Sequence, residues 1–78
     1  MTVDEAKFAV ISGAAVIYAV NGVEHEWRAV AIITQIIRDS GVKGWRNSLR
    51  LIDPGCVHSV TEARMSECRL KEPMPSGT

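Results

Sequence analysis

Aromatic side chains are scarce in this sequence: among 78 residues there are Phe8, Tyr18, Trp27 and Trp45. So few rings cannot build a core, and Val, Ile, Leu and Ala must fill the interior. Cysteine is as rare. Cys56 and Cys68 are too few for a disulfide scaffold, and no secretory leader is read ahead of them. They are expected to be small packing residues or idle loop thiols in a reduced, soluble, cytoplasmic protein. No apolar run approaches the ~20 residues of a membrane-spanning helix. Net charge is missing too, since nine Lys and Arg balance nine Asp and Glu. That balance argues against strong non-specific binding to nucleic acid.

What is present fits one small domain. A chain this short buries only about 60–65% of its unfolded surface, so its core is small. An apolar fraction of 46% with 23% charged residues excludes wholesale disorder. Charge is uneven along the chain. Residues 1–26 carry Asp4, Glu5, Glu24 and Glu26 against Lys7, a net −3. Residues 27–50 carry Arg28, Arg38, Lys43, Arg46 and Arg50 against Asp39, a net +4. A basic middle segment forms a local patch if the fold gathers it on one face.

Thr2-Val3-Asp4-Glu5 opens a helix: Thr2 caps it, Glu5 sits three residues on, and Ser12-Gly13 ends it. Ala6, Val10 and Phe8 would form its apolar face, which needs a neighbour because so short a helix is marginal alone. Ala15 to Ala19 reads as a strand, and Asn21-Gly22 is a strong hairpin turn. Residues 23–38 fit two periods. As a helix they split into a polar side (Glu24, Arg28, Thr34, Gln35, Arg38) and an isoleucine side. As a strand they are rich in β-branched residues and lie between turns of hairpin length. The strand reading is preferred, with Asp39 to Gly44 as the next turn. Both parities are apolar between Ala29 and Ile33, so the strand must be buried on both faces or bend sharply.

Trp45 to Asp53 alternates, with Trp45, Asn47, Leu49 and Leu51 on one face and Arg46, Ser48, Arg50 and Ile52 on the other. Asp53-Pro54-Gly55 turns the chain. Val57 to Ala63 is a fourth strand, Arg64 to Glu67 one helical turn, and Cys68 to Leu70 a closing strand. The expected fold is α+β: an N-terminal helix followed by a small five-stranded antiparallel barrel of SH3-like or Sm-like path, spanning residues 1–71. Residues 72–78, with two prolines and a glycine, form a frayed tail.

Two resemblances bear on function. A short helix leading into Val16-Ile17-Tyr18-Ala19-Val20-Asn21-Gly22, with Ser59 to Ala63 and Cys68-Arg69-Leu70 near the end, resembles the bacterial Sm-like (Hfq) family. That resemblance implies a ring-forming RNA-binding barrel. Ser12-Gly13, Val16-Ile17-Tyr18, Leu49-Arg50-Leu51-Ile52-Asp53 and Ser59-Val60-Thr61 resemble short uncharacterised phage and prophage proteins. That pattern implies a mobile-element accessory protein that blocks a host factor, as an anti-defence inhibitor would.

Catalytic signals are weak. Glu24 and Glu26 share a strand face that His25 does not, so the three cannot converge on one atom. Cys56, His58 and Cys68, with His25, match no strong zinc spacing. No enzyme activity, cofactor or metal is expected. The candidate binding residues are Arg28, Arg38, Arg46 and Arg50, a guanidinium row suited to phosphates or carboxylates, with Lys43 in the connecting loop. Trp27 is either core or an interface anchor. The expected function is a non-enzymatic binding module acting on a host protein or nucleoprotein complex, with a homo-oligomer possible and no membrane contact. The alternatives are an RNA- or DNA-binding barrel and a barrel that takes an anionic nucleotide.

Overall fold

The computed structural model describes residues 1–39 and 42–75, without the side chains of residues 37–39, 42, 43, 45 and 57. Helix α1 (Val3–Ser12) starts where the sequence places it. The Thr2 side chain accepts from the Glu5 N–H at 3.1 Å, and the Glu5 carboxylate accepts from the Thr2 N–H at 2.9 Å. Two otherwise orphaned N–H groups are thereby satisfied. The helix stops at Gly13, whose φ of 76° is left-handed and whose N–H returns to the Ala9 carbonyl.

Five strands follow: β1 (Ala15–Val20), β2 (Val23–Asp39), β3 (Val42–Asp53), β4 (Cys56–Arg64) and β5 (Arg69–Leu70). They form one antiparallel sheet in the order β4-β3-β2-β1-β5. A 3-10 turn, Met65–Glu67, carries the chain from one edge strand to the other. Among the described residues no ladder joins β4 to β5, so the sheet is open rather than closed. Residues 73–75 have no regular structure, and residues 76–78 of the expected tail lie outside the described residues.

Asn21 and Gly22 both have positive φ, 53° and 78°, which matches the right-handed twist of the β1–β2 hairpin. Residues 23–38 are extended throughout, as the β-branched reading requires. The turn expected over Asp39 to Gly44 is shorter than the sequence suggests. Asp39 pairs with Val42, Arg38 with Lys43 and Ile37 with Gly44, which leaves residues 40 and 41, outside the described residues, as the connection. The apolar run at 29–33 is resolved by a bulge. Ala29 opposes Leu51 and Ala31 opposes Arg50, so Val30 is an extra residue and the strand bends there.

The core lies between helix α1 and the sheet, on the face we term concave, and the opposite face is the convex one. Val16, Trp27, Ala29, Leu49, Leu51, Ala63 and Leu70 supply it from the strands, and Met65 and Cys68 from the connection to β5. The helix packs onto them through Ala6 and Ala9, both fully buried, with Phe8 and Val10 at the margin. Two alanines let the helix approach closely. The terminal ammonium donates to the Met65 carbonyl at 3.2 Å and fixes the far end of the helix segment.

Candidate binding surface

In β3 the alternation seen in the sequence becomes a division of faces. Leu49 and Leu51 are fully buried, whereas Arg46 and Arg50 are exposed on the opposite, convex face. Cross-strand partners share a face, so the register extends this surface across three strands. Arg28 of β2 opposes Ile52, Arg50 opposes Ala31 on one side and Glu62 on the other, and Arg64 of β4 opposes Ser48. Arg28, Arg50 and Arg64 are therefore diagonal neighbours, each about 7–8 Å from the next at the backbone. Arg46, opposite Gln35, is diagonal to Arg64. All four side chains are exposed.

Apolar groups sit among them. Val60 opposes Ile52 on this face and is 54% exposed, while Ile52 and Ile33 are half-buried. Ser48, with Ile33 and Arg64 as its cross-strand neighbours, is buried beneath the longer side chains. Arg28 has a second role. Its guanidinium lies over Gly13, with Nε and Nη2 3.8 and 3.9 Å from where a Cβ would stand. The last turn of α1 has no basic residue of its own. Arg28 supplies positive charge from the sheet at the end of the helix where the macrodipole favours it.

The acids of β2 lie on this same face, since Glu24 and Glu26 have the strand parity of Arg28, and they are already paired. Glu24 pairs with Arg69 at 2.6 Å and Glu26 with Lys71 at 2.7 Å, reaching over β1 to β5. The Glu26 carboxylate raises the Lys71 pKa through its hydrogen bond and charge. Arg69 of β5 and Lys71 just after it thus answer the acids of β2, and within the β3–β4 ladder Glu62 lies directly opposite Arg50. Arg64 is absent from the sequence-derived set because it reads there as the start of a helical turn. The structure makes it the last residue of β4.

No protein family, curated protein or solved structure matches the chain. The surface must be read from its own chemistry.

Of the other sequence-derived candidates, Trp27 stands apart from the stripe. It is 7% exposed, its Nε1 donates to the Tyr18 carbonyl at 3.3 Å, and its ring meets Tyr18 edge-on at 6.5 Å. It belongs to the concave core. The side chains of Arg38 and Lys43 lie outside the described residues; the register sets the two opposite each other near the end of the β2–β3 hairpin. Among the described residues no group of three or more His, Cys, Asp or Glu comes together. Cys68 is buried, and burial raises its thiol pKa to about 11, so it is no nucleophile at neutral pH. Cys56 and His58 are exposed on β4. A groove of about 340 Å³ lies between Phe8, Ala14 and Ala15 and the segment Lys71 to Pro73. It holds the paired Glu26 and Lys71 and none of the arginines.

Proposed function

We propose that this chain is a non-enzymatic binding module that docks its convex face onto an acidic, partly apolar surface of a partner protein. One observation carries the reading: three arginines cross β2, β3 and β4 in a diagonal, with Val60, Ile52 and Ile33 between them and Glu62 in the same ladder. Arginine set among aliphatic groups is the composition of protein interfaces. A phosphate-tracking groove would gather cations without an opposing acid and would raise the net charge, which is zero here. The resemblance to phage and prophage accessory proteins gives the partner a class, a host factor whose working surface the module occupies. The sheet order and the 3-10 turn before the last strand suit an SH3-like or Sm-like barrel left open between β4 and β5.

The runner-up is a nucleic-acid surface, favoured by the four exposed guanidinium groups alone. One experiment separates the two. The chain is used to capture ligands from host lysate with and without nuclease, beside a variant carrying Arg50→Ala and Arg64→Ala. A protein retained through nuclease treatment and lost in the variant supports the protein-docking reading. Capture that nuclease abolishes supports the nucleic-acid reading. Capture unchanged in the variant removes the stripe from both.

A further inference from the structure

The β2–β3 hairpin reaches past the rest of the sheet. β1 pairs with β2 only from Val23 to Arg28, and β4 pairs with β3 only up to Ser48. Beyond Arg28 no strand lies along the outer edge of β2 among the described residues, so alternate backbone N–H and C=O groups face an open edge. Residues 31–37, Ala-Ile-Ile-Thr-Gln-Ile-Ile, hold no charge, proline or glycine. Such an edge is a template for another strand. The open edge of β3 is different. Residues 42–47 carry Lys43, Gly44 and Arg46, the residue types that guard an edge against pairing.

We propose that two copies of this chain join through the edge of β2 over residues 31–37, making one continuous antiparallel sheet about a two-fold axis at Thr34. This inference stands independently of what the convex face binds. A same-edge antiparallel pair keeps both convex faces on one side, so opposed residues must share a face. With Thr34 on the axis, Ile33 meets Gln35 of the second copy, and Ile32 meets Ile36 of the second copy. Ile36 is 65% exposed in the single chain, while Ile32 is half-buried against the core. The pairing therefore extends each core with the partner's isoleucine. The bulge at Val30 ends the paired segment.

The test is the mass of the full chain by light scattering over a concentration series. A species of twice the 8.5 kDa chain mass is expected. Ile36→Lys, at an exposed position, should keep the circular dichroism spectrum and weaken association at least about tenfold, because it forces a charge against the partner's Ile32. Ile11→Lys, on the exposed side of the helix, should leave association unchanged. In a Cys56→Ser background, Thr34→Cys should form a disulfide-linked dimer on oxidation, since opposed residues lie about 4.5–5.5 Å apart at Cα. Ile11→Cys in that background should not. A monomer at every concentration overturns the proposal. So does a dimer that survives Ile36→Lys, or cross-linking at position 34 no faster than at position 11.

Discussion

Deleting one residue from a strand normally inverts every side chain beyond it, and the bulge makes Val30 the exception. Ala29 and Ala31 oppose Leu51 and Arg50, successive residues of β3, so Val30 has no cross-strand partner. Removing it leaves Ala29 on the core face and Ala31 on the convex face, and Ile32 still meets Leu49. The direct loss is the contact of Val30 itself, which is 37% exposed. Fully burying a valine contributes about 1.5–3 kcal/mol, so the deletion should cost no more than about 2 kcal/mol. Deleting Arg50, on the strand directly opposite, is the contrasting perturbation. It makes Leu49 and Leu51 adjacent, and one of these fully buried side chains must leave the core. That loss is about 2–5 kcal/mol, against a total stability of about 4–12 kcal/mol for a domain of this length. Urea and thermal unfolding read both. Deletion of Val30 should lower Tm by up to about 15 °C, taking 4–8 °C per kcal/mol, with a cooperative transition retained. Deletion of Arg50 should lower Tm by about 8–40 °C on the same scale, with the cooperative transition lost where that loss approaches the total stability. If Val30 deletion unfolds the protein while Arg50 deletion does not, the register across the bulge is wrong and the convex face is not the one described.

Thr2→Ala should lose about 1 kcal/mol of stability, the value of an N-cap, read by urea unfolding. The Glu5 carboxyl is held below its ordinary pKa by its hydrogen bonds with Thr2. Its contribution is therefore present above the ordinary carboxylate pKa and lost as pH falls through the lowered folded value, and Thr2→Ala should reduce that acid-side loss. Iodoacetamide at pH 8 should label Cys56 alone in the folded chain, because burial keeps Cys68 a thiol until about pH 11; mass spectrometry showing two adducts without unfolding would contradict this. The variant with Arg50→Ala and Arg64→Ala should unfold within about 1 kcal/mol of the parent, as expected for two exposed positions, so that lost binding in it reports the surface and not the fold.

The parts of the fold visible in the sequence are those fixed by neighbours along the chain. Thr2 with Glu5, Gly13, Asn21-Gly22 and the alternation around Leu49 and Leu51 each depend on a few consecutive residues. The extended state of residues 23–38 was readable from β-branching, although its isoleucines fit a helix period as well. The phase of that strand was not readable. With alanine, valine and isoleucine at every position from 29 to 33, hydrophobicity cannot say whether Ile32 or Ile33 turns inward; the bulge decides it, and the bulge is a relation between β2 and β3. The same limit applies to charge. Glu24 finds Arg69 across 45 residues of chain, and nothing local to either announces the other. Arg64 was hidden because a Met-Ser-Glu turn follows it and its strand partner, Ser48, is distant in sequence.

That the cations of the diagonal stripe are all arginine narrows what can bind there. Arg28, Arg46, Arg50 and Arg64 make up the stripe, while Arg69 and Lys71 beside it on the same face are tied to Glu24 and Glu26. A lysine would offer a mobile point charge that suits a diffuse anionic surface. A guanidinium offers a planar fork that matches one carboxylate at a time and lies flat on apolar neighbours. On a strand its side chain stands away from the sheet, so the fork clears Ile33, Ile52 and Val60 while its stem covers them. A partner that meets this face must therefore bring several separate carboxylates with aliphatic contact between them. An acidic strand or helix surface satisfies both conditions. A phosphate backbone satisfies the charge and leaves Val60 and Ile52 facing water.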